Sequence, residues 1–310
     1  MNNVVACPVS PAQPGSQGNR QAVGPQALAP RLAALLPACT GAAEFAPRRR
    51  SSSYSERAED WSALEDIPDP DVRGGKIVHA LIAYELARFV GLAPEPLDML
   101  HASDTAQEVI DKCLERTKAV YLAEQARGTH PTLLVEHRVD CLAKLGLADT
   151  CTGYCDSAII TDDTIYVYEF KSGTGPLHHD QVLAQCKLYA LGLINEFDAR
   201  EKIVLEIIKP GRNFDQCITL TSDELIQWGE ETMVPLVRGA LQGERAFRPG
   251  PYCNICPGRP LCRAWVEQMI TMLVSRYGRG ATVSPQQAPK LSEQEVSELL
   301  GLLGDIESCQ

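Results

Sequence analysis

Alternation of apolar and polar positions on either side of residues 161–164 is the strongest local pattern in the chain. Residues 153–160 and 165–171 are rich in β-branched and aromatic side chains and flank a short polar turn, which predicts a β-hairpin. Residues two apart share a strand face, so Ile165, Val167, Glu169 and Lys171 fall on one side and Tyr166, Tyr168 and Phe170 on the other. Asp156, Ala158 and Ile160 share the first of these faces. Earlier in the chain, residues 132–136 begin the β core; later, the apolar run 202–208 predicts a buried strand, followed by a shorter one at 216–220. Helical spacing predicts helices over about 32–36, 75–89, 105–125, 179–195 and 263–277. Another opens on the capping box Thr221-Ser-Asp-Glu224 and runs to about 242. In the helix at 75–89, Ile77, Leu81 and Tyr84 form one stripe, and His79 shares a face with Ile82, Ala83 and Leu86.

These elements imply an α/β fold with a central mixed sheet flanked by helices. Residues 1–30, rich in Pro, Gly, Gln and Asn without periodicity, predict a disordered segment. Residues 31–265 form the main domain. Residues 266–310 hold a linker and a last helix capped by Ser292, whose Val296, Leu299, Leu300 and Leu303 either pack back or dock a partner.

Composition narrows the function classes. At 310 residues with 45% hydrophobic and 22% charged positions, the chain can bury a sizeable core. It has no apolar run of the ~20 residues needed to span a bilayer. The N-terminus lacks a charged start and a long apolar stretch, so no secretory signal is expected and the expected setting is the cytoplasm. Leu36-Pro-Ala-Cys39 has the form of a lipoprotein box, but Pro30 and Arg31 break the stretch before it. A formal charge of −11 runs against a broadly basic nucleic-acid face. Local candidates for one are Arg48–Arg50, Lys209 with Arg212, and Arg259 with Arg263. Of twelve cysteines, Cys253, Cys256 and Cys262 are packed at the spacing of a metal or cluster site, whereas Cys141, Cys155 and Cys186 read as small buried thiols.

If the hairpin is symmetric about Asp162–Asp163, Asp156 lies directly opposite Glu169. Opposed side chains have Cβ atoms about 4.5–5.5 Å apart, and like charges placed so need a neutraliser. A divalent cation is one, since Mg²⁺ is commonly held by one or two carboxylates plus waters and phosphates. A cross-strand ion pair with Lys171 accounts for the same residues equally well. Glu136, at the end of the first strand, fits a surface residue as well as an extra carboxylate.

Gly153-x-x-Asp156, Glu169-x-Lys171, Gln185-x-x-x-Tyr189 and the upstream Gly75-x-x-x-His79 together resemble the PD-(D/E)XK nucleases of the RecB-like exonuclease branch. The order and spacing are similar to an uncharacterised phage and prophage family within it. The resemblance covers about Arg31 to Ala264 and rests on several short motifs in the right order, none specific alone. It implies a restriction-endonuclease-like core that hydrolyses DNA phosphodiester bonds with Mg²⁺ or Mn²⁺. By the same resemblance Asp156, Glu169, His79 and the Phe170 carbonyl would hold the metal, Lys171 would orient or activate water, and Gln185 and Tyr189 would position the strand. Iron–sulfur members place one cysteine before the core and three after it. This implies Cys39, Cys253, Cys256 and Cys262 as ligands of a [4Fe–4S] cluster, with Zn²⁺ as the alternative, closing the domain like a clasp. Thr40 stands where a proline usually follows the first cysteine, and Cys7 is the other candidate for that ligand. A helicase or recombinase is an expected partner, and a catalytically silent nucleic-acid-binding subunit is the alternative function.

Overall fold

The computed structural model describes residues 27–45, 70–92, 94, 102–172, 178–209 and 216–277. Cys7, Arg48–Arg50, Arg212 and the helix expected after Ser292 lie outside the described residues. Five strands form one sheet: β1 (Thr132–Asp140), β2 (Thr152–Ile160), β3 (Thr164–Phe170), β4 (Lys202–Ile208) and β5 (Gln216–Thr221). They lie in sequence order, with β3–β4 parallel and the other pairs antiparallel. Parallel neighbours need a long crossover, which here contains the helix His179–Phe197. The fold is therefore the mixed α/β arrangement expected from the sequence.

Seven helices are described: α1 (Pro30–Ala33), α2 (Pro70–Phe89), α3 (Asp104–Arg127), α4 (His179–Phe197), α5 (Ser222–Trp228), α6 (Val234–Leu241) and α7 (Arg263–Tyr277). On one sheet face Ile165, Val167, Ile203, Leu205 and Ile207 pack with residues of α4, α5 and α6 and with Leu32 and Leu35. On the other, Ile159, Tyr168, Phe170 and Ile208 pack with α2 and α3. The stripe that α2 buries is Val78, Ile82 and Leu86; Ile82 and Leu86 belong to the face read for His79, while Ile77, Leu81 and Tyr84, read as a separate stripe, are only half-buried.

Local chemistry explains the boundaries. Ser103 caps α3 by accepting from the Ala106 N–H at 3.3 Å, and Gly128, at φ 80°, ends it in the left-handed conformation. The capping box at Thr221 and Glu224 is formed. The helix it opens is not uniform, because a π turn at Gly229–Met233 separates α5 from α6. Pro235, in the first turn of α6, lacks an N–H and clashes with a helical carbonyl four residues back, and a wider turn accommodates both. Order also begins before Arg31: Leu28 is buried, and its N–H donates to the Thr150 carbonyl at 2.7 Å. Among the described residues no helix is long and apolar enough to cross a membrane.

α4 sits so close to β1 that a Cβ on Gly192 would lie 2.7 Å from the Val139 Cβ. Gly192→Ala should therefore cost about 1–3 kcal/mol by overpacking, reduced by the roughly 1 kcal/mol that alanine gains in a helix. Urea denaturation should read a net loss; a more stable variant would mean that α4 and β1 are spaced more widely.

Candidate metal centre and cysteine cavity

The β2–β3 ladder runs from Ile160↔Ile165 to Ser157↔Tyr168 and stops one pair short of Asp156 and Glu169. The register is the one read from the turn. Where the ladder stops, Asp156 Oδ2 accepts the Phe170 N–H at 2.8 Å, and His79, arriving from α2 on the opposite layer, places Nδ1 3.2 Å from Asp156 Oδ1. The Phe170 side chain is buried in the α2–α3 core, where its ring lies 6.4 Å from that of His79, and its main-chain N–H turns to Asp156.

β1 contributes from the other edge. Val135 pairs with Ser157 and His137 with Cys155, but the intervening pair, Glu136 with Asp156, is missing. Glu136 has φ 45°, a left-handed conformation uncommon for a residue with a side chain. Its Oε1 lies 3.9 Å from His79 Nδ1. Ligand atoms of His79, Glu136 and Asp156 all lie within 4.8 Å of one another, close enough for one cation.

Glu169 is almost completely buried beside this group. Its Oε1 accepts from Lys171 Nζ and from Gln185 Nε2 at 3.2 Å, and Gln185 also donates to Tyr189 Oη at 2.9 Å. The i, i+4 spacing on α4 thus joins Gln185 to Tyr189, and both are turned inward toward the carboxylate. Glu169 Oε2 is buried without a hydrogen-bond partner. Among the described residues the ligand atoms within 4.8 Å of one another are those of His79, Glu136 and Asp156, and the expected ligand Glu169 is not in that set. An orphaned buried carboxylate oxygen in the same neighbourhood as an imidazole and two carboxylates has the donor chemistry of a divalent-cation site.

Electrostatics follow from this crowding. Burial opposes a charge on His79, but Asp156, and to a lesser extent Glu136 and Glu169, outweigh it and lift its pKa from 6.5 to about 9. Burial and the Asp156 charge push Glu136 from 4.5 up to about 8. Asp156 is opposed by burial but held below its usual range by His79 and the Phe170 N–H. Lys171, despite burial, is held above its usual range by Glu169.

Cys39, Cys253, Cys256 and Cys262 line a cavity together with Leu35, Phe45, Phe247 and Tyr252. The first cysteine is tied to the distal segment. Its Sγ lies 3.6 Å from the Ala246 carbonyl and accepts the Arg248 N–H at 3.5 Å, while the Ala246 N–H donates to Thr40 Oγ1 at 2.8 Å. Thr40 thus makes a cross-chain bond at the position where a proline was expected. A Cβ on Gly41 would collide with the Phe247 ring, so the cavity depends on that glycine. No three of the four thiols meet within 4.8 Å, whereas Zn–S bonds of ~2.3 Å put thiolates about 3.8 Å apart. Cys141, Cys155 and Cys186 are buried in the main core, as expected of small thiols. Of the basic candidates, Lys209 is buried, Arg259 stacks over Trp265 at 4.8 Å, and Arg263 pairs with Glu267. Lys209 is therefore not an exposed surface charge.

For both His79 and Glu136 the folded pKa exceeds the unfolded one, so the native state binds more protons and stability falls as pH rises. The Glu136 contribution fades between about pH 4.5 and 8, and the His79 contribution between 6.5 and 9. Thermal melts in chelator should show a falling midpoint from pH 6 to 9. A flat profile would contradict the crowded arrangement.

The solved crystal structure of SSO0001 matches 80% of this chain and 90% of its own at 14% identity, with a TM-score of 0.39. That likeness is too loose to carry an argument. The sequence pattern described as "Protein of unknown function (DUF2800)" matches residues 63–309, most of the chain. The chain accordingly belongs to the DUF2800 family.

Proposed function

We propose that this protein is a metal-dependent nuclease of the PD-(D/E)XK type that hydrolyses DNA, an exonuclease serving phage or prophage DNA processing or recombination. The observation that carries the reading is the meeting of Asp156, Glu169, His79 and Lys171 at the end of the β2–β3 ladder, with Glu169 Oε2 left unpartnered. A purely structural ion pair between Lys171 and Glu169 would leave the orphaned oxygen and the adjacent Asp156 without a reason.

When bound, Mg²⁺ or Mn²⁺ supplies Lewis acidity to a phosphate and acidifies water. Asp156, Glu169 and His79 would hold it, with the Phe170 carbonyl as a further oxygen donor. Asp156 is kept ionised by His79 and the Phe170 N–H, so a ligand charge is present at neutral pH. Lys171, held protonated by Glu169, is a hydrogen-bond donor and positive charge rather than a base. It is suited to orienting an attacking water and offsetting charge on the phosphate. Gln185 and Tyr189 act as positioning residues, fixing Glu169 from α4 and through it the place of the scissile phosphate.

We read the cysteine cavity as the place of a [4Fe–4S] cluster, with Zn²⁺ as the alternative, because four thiols line it among apolar and aromatic walls. The cluster would cross-link the segment at Cys39 to the segment at 253–262. Protein purified without oxygen should contain iron and acid-labile sulfide in equal amounts, both lost in Cys39→Ser. Stoichiometric zinc without sulfide would identify the simpler site.

The deciding assay compares single- and double-stranded DNA incubated with Mg²⁺ or Mn²⁺ and with chelator. Cleavage should require the cation and fall by at least ~10²-fold in Lys171→Ala, the range typical of a lost proton-transfer or orienting group. A folded protein that binds cation yet leaves both DNAs intact would identify a binding subunit awaiting a helicase or recombinase.

A further inference from the structure

We infer that Glu136 is a direct ligand of the divalent cation, giving this site a third carboxylate contributed by the neighbouring strand. The inference rests on the metal-dependent reading above and extends it to a residue outside the hairpin motif. The first observation is placement: Glu136 Oε1 stands 3.9 Å from His79 Nδ1, and Glu136, His79 and Asp156 form the set of ligand atoms within 4.8 Å among the described residues. Independently, Glu169 Oε2 is fully buried and unpartnered, and the Glu169 charge acts on both His79 and Glu136. A buried carboxylate oxygen left without a donor, on a residue whose charge is felt by this group, is a second sign of a cation site in this neighbourhood.

The backbone agrees with this placement. β1 keeps its register on both sides of Glu136, so no residue has been inserted, yet the pair with Asp156 is lost and φ is 45°. A surface glutamate in mid-strand has no reason to leave the extended region. A residue re-aimed toward a shared cation does, and local strain of this kind gathers at ligand sites. With imidazole nitrogen and carboxylate oxygens together, the set suits Mn²⁺ at least as well as Mg²⁺.

The test is a Mn²⁺ titration of the full chain without DNA, read by the EPR signal of free ion, together with thermal melts in chelator. Glu136→Gln keeps the shape and removes the charge. Glu136→Gly also relaxes the left-handed backbone, and Glu196→Gln, which alters the exposed partner of His137, is the control. Glu136→Gln and Glu136→Gly should bind Mn²⁺ at least tenfold more weakly and melt higher in chelator than the parent, while the control matches it. Parental Mn²⁺ affinity in Glu136→Gln overturns the assignment of Glu136 alone. A folded parent that takes up no Mn²⁺ overturns it together with the metal-dependent reading.

Discussion

Carboxylates brought close together must be compensated, and that constraint organises the centre of this molecule. The hairpin register carries Asp156 and Glu169 to the end of its ladder, and Glu136 comes from the adjacent strand. Compensation comes from separate elements: an imidazole from α2, a main-chain N–H released where the ladder ends, a lysine just past the end of β3, and an amide from α4. Breaking one partner of a buried charge typically costs about 3–5 kcal/mol. Helices on both sheet faces are thus bound to one point, and the parallel β3–β4 pair, by requiring a crossover, supplies the helix that carries Gln185 to it.

Much of this was legible because it depends on short-range periodicity. The turn at 161–164 fixed which residues oppose each other, and the capping box at Thr221 marked a helix start that the structure contains. The strand alternation also divided Ile165 and Val167 from Tyr168 and Phe170 correctly between two cores. Other features were hidden because they depend on tertiary context. Nothing in the text around Glu136 marks a left-handed residue, since no glycine or asparagine stands there; the conformation follows from what β1 faces. Two apolar stripes could be read on α2, one with Ile77 and one with Ile82 and Leu86, and only the docking direction decides that the second is buried, together with Val78. Gln185 and Tyr189 could be paired by spacing, but their inward orientation needed the position of Glu169. Leu28 lay in a low-complexity stretch whose composition gave no sign of its contact with Cys151.

The tie between Cys39 and Ala246 spans 207 residues of sequence, and this has a consequence for how the chain is made. At roughly 5–20 residues per second, Cys39 is synthesised about 10–40 s before its partner segment. The sheet is complete in sequence at Thr221, so the hairpin and its carboxylates can assemble while the cysteine cavity still lacks three of its four thiols. Closure of that cavity therefore reports that synthesis has passed Cys262, and an interrupted chain would display an assembled sheet with its first cysteine left without the others.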